Sequence, residues 1–324
     1  MTWSTIWLAL RLQRFEIGAS ALFAAVASIT ALLVRARLES VGAPVACITP
    51  WLFPDVAFDA ATCDHLSTAF LRIKNDDATL VFNALNVLPL AVGLLLGVGL
   101  VGREVEGGTA ATVWALSGSR RRWLLGRLLP IVAVLVTVLA AAAVASDLLA
   151  TATRPWLAGR PSFEDAGVHG PGLVARGLAA FGVGLAVGAW SGRMLPTVII
   201  SAMLAVFLWG GGFGLLASWT EANSHEIAVP SWFNGEYDGG KFTGLFYVLP
   251  DGSRIDPRFV DFGALVPAGV DPDEWVETSV QKVAVGVVSA DYSRWLAAEI
   301  GAFGAIGLAS ILLTFAIVDR RRPF

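Results

Sequence analysis

Residues 102–127, GREVEGGTAATVWALSGSRRRWLLGR, place two carboxylates (Glu104, Glu106) and five arginines between two strongly apolar stretches. In hydrocarbon each of these groups would cost about 2.5–3.5 kcal/mol even on a lenient insertion scale, so the segment must face water. Thr109 is suited to cap a short helix that Gly118 ends, which leaves Ala110 to Ser117 as about two turns and puts Val113 and Trp114 on it. Ser119 can then cap the next helix, the one containing Trp123. A bias of positive charge toward one side of a membrane explains Arg120, Arg121 and Arg122. It does not explain Glu106-Gly107-Gly108-Thr109 or Trp114.

The other reactive side chains are few. The three histidines, His65, His169 and His225, fall in three separate polar segments, and neither H-E-x-x-H nor G-x-S-x-G occurs, which argues against a membrane-embedded enzyme. No G-x-x-x-x-G-K-[ST] is present, and GGKFTG at 239–244 lacks both its spacing and its hydroxyl, so no nucleotide site is expected in this chain. No catalytic residue, metal ligand or bound cofactor is assigned. Cys47 and Cys63 are the only cysteines, and with His65 nearby they fall short of a tetrahedral metal site. A disulfide is the expectation, a pair of buried thiols the alternative. Asn83 and Asn86 share a helix face ahead of Pro89, and that face either lines a substrate path or closes an interhelical hydrogen bond.

These residues are positioned by a chain that is 56% hydrophobic and 15% charged, with mean hydropathy +0.67. Six nearly uncharged windows, 17–34, 81–102, 128–149, 173–190, 194–216 and 295–318, are long enough to cross about 30 Å of hydrocarbon. The first is longer than the apolar core of a typical signal peptide. The expected fold class is an all-α polytopic membrane protein with six transmembrane helices. Trp3, Ile6, Trp7 and Leu10 recur at helical spacing, and residues 1–16 read either as an amphipathic interfacial helix or as an extension of the first span. With both termini cytoplasmic, the inner segments hold eleven arginines against four acidic residues, and the outer ones 12 basic against 22 acidic. This is the orientation that positive charge favours.

The outer segments are then 35–80, a shorter one after the third span, and a lobe at 217–294 ahead of the sixth span and basic tail at 295–324. In the lobe FTGLFYVL and KVAVGVV read as short strands or packed loops, separated by turn signals such as LPDGSRIDP. Ala180, Gly184, Gly188 and Gly192, and likewise Ala297, Gly301, Ala305 and Ala309, recur every fourth residue and are expected to be packing seams. Asp147 and Glu299 are expected to reach headgroups or water, and Gly210, Gly211 and Gly212 to weaken the fifth span. No internal repeat supports an inverted-repeat transporter plan.

The connection at 102–127 resembles the cytoplasmic loop of ABC-2 type transporter permeases, the type V ABC exporters. In that family a glutamate, a Gly-Thr pair, a short coupling helix, a Ser-x-x-Arg turn and a Trp- or Leu-rich entry to the third span recur in order. The matching residues are Glu104 or Glu106, Gly108-Thr109, Ala110 to Leu116, Ser117 or Ser119 with Arg120 to Arg122, and Trp123. The resemblance extends to the amino-terminal helix and six-span layout, while the first and last outer segments exceed those of a compact member.

It implies a permease moving a hydrophobic or amphipathic compound, with ATP and Mg bound by a separate ABC ATPase present in two copies. It also implies a second permease copy, expected as a homodimer, and no nucleic-acid partner. Glu104, Glu106 and Thr109 to Trp114 would transmit closure of the ATPase, and Arg120 to Arg122 would anchor the loop to lipid or partner. A sensor or scaffold whose outer lobe binds a ligand without transport is the alternative. Arginine supplies 20 of the 23 basic residues, which suggests a GC-rich bacterial genome and a bacterial cytoplasmic membrane.

Overall fold

The computed structural model describes residues 3–50, 59–110, 112, 114, 119–164, 166–229, 239–256, 266, 269–271, 275 and 278–320. Six of its helices are long and apolar enough to cross a membrane. We number them spans 1 to 6: Arg14–Val41, Thr79–Glu106, Arg120–Thr153, Gly170–Ser191, Met194–Asn223 and Tyr292–Arg320. A short helix, Trp3–Leu12, precedes span 1 and is separated from it by Gln13. Much of 35–80, expected as a connection, is helical. Span 1 runs on to Val41, and helix Ala60–Arg72 passes through a π turn, Ile73–Ala78, straight into span 2. A Cys47–Cys63 disulfide, with Cα atoms 5.0 Å apart, joins the short helix Val45–Ile48 to that lead-in.

Spans 2, 4 and 6 pack backbone to backbone. A Cβ on Gly93 or Gly97 of span 2 would collide with the carbonyl of Gly177 or Phe181 in span 4, and one on Gly188 would lie 3.0 Å from Val98 O. On the other side of span 4, a Cβ on Gly182 would lie 2.7 Å from Gly307 O of span 6. Close approach of this kind is how membrane helices gain dispersion energy when lipid is as apolar as the side chains. The seam expected from Ala180, Gly184 and Gly188 is therefore real, and Gly192 closes the helix in the left-handed conformation at φ 61°.

The seam expected in span 6 lies elsewhere. Ala297, Gly301, Ala305 and Ala309 are exposed, whereas Trp295, Glu299, Phe303 and Gly307 are buried. The cause is Glu299, whose charge has to turn inward to find a partner and so sets the rotation of the helix. Glu299 thus does not reach headgroups. Gly210, Gly211 and Gly212 do not interrupt span 5 either, which stays helical to Asn223. In lipid every backbone N–H and C=O must be bonded within the chain, and that requirement overrides the propensity cost of glycine.

Beyond span 5 stands a four-stranded antiparallel sheet in the order β1-β4-β2-β3: β1 His225–Val229, β2 Lys241–Val248, β3 Arg254–Ile255 and β4 Gln281–Val287. The two runs read as short strands or packed loops are strands, β2 and β4, each displaced by one residue. The turn between β2 and β3 is built as its residues require, with Asp251 Oδ1 accepting from Ser253 N at 2.8 Å. Those bonds hold the Asp251 carboxyl below the ordinary carboxylate range, the Ser253 hydroxyl contributing most. Partial burial lowers Lys241 and Lys282 from the ordinary lysine value. Under the sheet Phe163 meets Trp219 at 6.0 Å and Tyr292 at 5.3 Å, and Trp219 meets Trp295 at 5.8 Å, an aromatic cluster joining spans 5 and 6.

Replacing Gly97 by valine should therefore destabilise the bundle by about 1–3 kcal/mol through overpacking. Gly301→Val, which meets nothing within 4 Å, should not. Thermal unfolding in detergent distinguishes the two.

Candidate functional site

The charged connection between spans 2 and 3 lies at the end of the bundle opposite the disulfide and the sheet. Its first turn is set by Gly107-Gly108, with Gly108 left-handed at φ 67°, which a side chain would strain. Thr109 Oγ1 then donates back to Glu104 O and Glu104 Oε2, both at 3.3 Å. Residues 110, 112 and 114 are helical; Ala111, Val113 and 115–118 lie outside the described residues. Ser119 caps span 3 as expected, its Oγ accepting from Arg122 N at 3.2 Å.

The connection is bonded to the spans around it. Arg103 pairs with Glu16 of span 1, which is 5% exposed. Glu104 Oε1 lies 2.5 Å from Arg127 Nη1 of span 3, both side chains largely buried. Glu106 Oε2 accepts from Met194 N at 2.8 Å, supplying a carboxylate to the positive N-terminus of span 5. Arg120 Nη1 donates to Val318 O at 3.0 Å and Asp319 O at 2.9 Å, binding the orphan carbonyls that end span 6, and Arg121 Nε donates to Asp319 Oδ2 at 2.7 Å. The Arg122 side chain is exposed.

Two buried tryptophans lock this arrangement from inside. Trp114 meets Trp123 edge-on at 6.0 Å; Arg120 stacks over the Trp114 ring at 4.8 Å and Arg127 over Trp123 at 5.0 Å. Such contacts add about 0.5–1.5 kcal/mol each beyond area burial. A displacement of Trp114 thus meets Arg120, and through it the end of span 6.

The structure brings together Glu104, Thr109, Trp114, Arg120 and Arg121, with Glu106 reaching span 5. Asn83 and Asn86 stand apart near the other end. Asn83 is exposed, and Asn86 Oδ1 accepts from Arg176 Nη1 at 2.8 Å, an interhelical hydrogen bond. Arg176 is 4% exposed and its Nε lies 2.7 Å from Glu299 Oε1, which is wholly buried. Sequence reading did not single out Arg176, although it is the lone charge in the 173–190 window. Asp147, about half-exposed, lies 3.0 Å from His169 Nδ1 and accepts from Gly170 N at 3.2 Å, so it caps span 4. Near the charged connection a cavity of about 280 Å³ opens between spans 1, 2 and 5, lined by Leu94, Val98, Ser201 and the Glu16–Arg103 pair.

Six apolar helices gathered on one charged connection define a multi-pass membrane protein. Residues 17–217 match the ABC-2 membrane transporter related family, and the chain belongs to it. No curated protein and no solved structure matches the chain.

A double-mutant cycle on Glu104→Gln and Arg127→Met, read by unfolding in detergent, should return a coupling of about 1.5–3 kcal/mol, the range for hydrogen bonds to charged groups. A value near zero would mean that solvent screens the pair.

Proposed function

We propose that the chain is the transmembrane permease subunit of an ATP-binding cassette exporter, without an ATP site of its own. Two copies of a separate ATPase bind ATP and Mg and drive it. It works as a homodimer in a bacterial cytoplasmic membrane, with both termini and the 102–127 connection cytoplasmic and the 217–294 lobe outside. Its cargo is a hydrophobic or amphipathic compound entering from lipid. The cavity between spans 1, 2 and 5 supports that class, being apolar apart from Ser201 and the Glu16–Arg103 pair.

The observation that carries the reading is the bonding of the connection, which joins spans 2 and 3, to three further spans: Arg103 to Glu16 of span 1, Glu106 to Met194 N of span 5 and Arg120 to the end of span 6, with Glu104 and Arg127 tying spans 2 and 3 to each other. A surface that docks a motor has to pass force onward, and this one is fastened to the elements it would move. Thr109 to Trp114 receives the push, Glu104 and Glu106 distribute it, and Arg120 to Arg122 anchor the loop. Asn83 stands at the outer end of span 2, where cargo leaves.

The chain, expressed with the ABC ATPases of its own genome, should copurify with one of them and stimulate its turnover. Trp114→Ala or Glu106→Ala should cut coupled transport by about tenfold, the equivalent of one net interaction of about 1.4 kcal/mol, while ATP turnover persists. Transport undiminished in both variants, or transport with no ATPase bound, would refute the assignment.

A further inference from the structure

We infer that Arg176 and Glu299 are positioning residues that lock spans 2, 4 and 6 into one unit, past which span 5 swings at Gly212. The inference rests on the permease reading, because it names which part of the permease moves. The lock is electrostatic and steric together. Arg176 of span 4 binds Glu299 of span 6 at 2.7 Å and Asn86 of span 2 at 2.8 Å, and its guanidinium lies 5.4 Å from the Phe303 ring centroid. Drawing any of these spans away would leave a bare buried charge within the apolar bundle, a state that membrane proteins avoid. The glycine contacts of span 4 with spans 2 and 6 join the same three helices along their length.

Span 5 meets this unit differently. At Gly212 its backbone faces the guanidinium, where a Cβ would lie 3.2 Å from Arg176 Nη2. Among the described residues no hydrogen bond or ion pair joins a span 5 side chain to the Arg176 cluster. The buried Thr220 hydroxyl donates within its own helix, to Leu216 O at 2.7 Å, and the side-chain bond from span 5 to span 4, between Thr197 Oγ1 and Ser191 Oγ, lies at the far end, beside the connection. Span 5 thus presents a smooth face at the charged cluster. At its other end Glu106 grips Met194 N. Glu106 ends span 2, so this end of span 5 is held to the locked unit, and the freedom left to span 5 is a swing of its Gly212 region past Arg176. Shifts of packed helices in such transitions run from about 1–2 Å to one helical turn of about 5.4 Å.

The test uses the full chain in lipid nanodiscs, with the native cysteines bonded and spin labels on introduced ones. One pair, Leu80→Cys with Leu308→Cys, reports span 2 against span 6; the other, Leu80→Cys with Phe207→Cys, reports span 2 against span 5. All three sites are exposed. The chain alone should give a narrow distance distribution for the first pair and a broader one for the second. Arg176→Met combined with Glu299→Leu, an apolar replacement that leaves no orphan charge, should broaden the first pair. Gly212→Val should narrow the second. Equal widths for the two pairs, or a first pair unmoved by the double variant, would overturn the inference. Adding the copurified ATPase, trapped with vanadate, should shift the second pair by about 2–5 Å and leave the first in place. No ATPase response, with the width difference intact, would sink the permease reading and leave the rigid unit standing.

Discussion

Arg176 and Glu299 meet at 2.7 Å, both buried within the bundle, and much of the arrangement of spans follows from that contact. A charge in hydrocarbon must be answered by another charge, and the geometry of the answer fixes how both helices are turned. Glu299 faces inward, which carries Phe303 and Gly307 inward and leaves Ala297, Gly301, Ala305 and Ala309 facing out. Arg176 faces Asn86, which puts Gly93 and Gly97 of span 2 against Gly177 and Phe181 of span 4. Dispersion between glycine-lined backbones then supplies adhesion that hydrophobicity cannot, since lipid is as apolar as leucine.

At the other end of the bundle charge is used differently. The pairs there sit where the apolar lengths of the spans end. Glu106 with the N-terminus of span 5, and Arg120 with the C-terminus of span 6, exploit backbone groups that a helix leaves unpaired at its ends. The connector holds the spans by their tips, so the contacts can be strong without filling the membrane interior with polar atoms. Trp114 and Trp123 give the layer between arginines and lipid a stiff aromatic floor.

The six spans were legible because the length and continuity of apolar windows depend on bilayer thickness alone. The Ser119 cap and the strands in the lobe were legible too, since each is a local matter of side chain and backbone. Which face of a span is buried was not. The every-fourth pattern of small residues in span 6 looked like a seam, yet a single glutamate outweighed it. Arg176, the fourth residue of its apolar window, implies a buried partner, but nothing in the spacing points to Glu299, 123 residues further on. Pairings such as Glu106 with Met194 N join residues 88 apart in the chain, and spacing carries no record of them.

Span 5 ends at Asn223, and after Ser224 the chain is already strand β1, hydrogen-bonded along five residue pairs to β4. Strand β4 in turn reaches span 6 through Val288 and a single short turn, Ser289–Asp291. No slack linker separates helix from sheet on either side. A ladder of this kind resists stretch, so the sheet holds the adjoining ends of spans 5 and 6 at a fixed separation. Any displacement of one of these helices against the other is therefore limited at the sheet end, whatever acts at the charged connection.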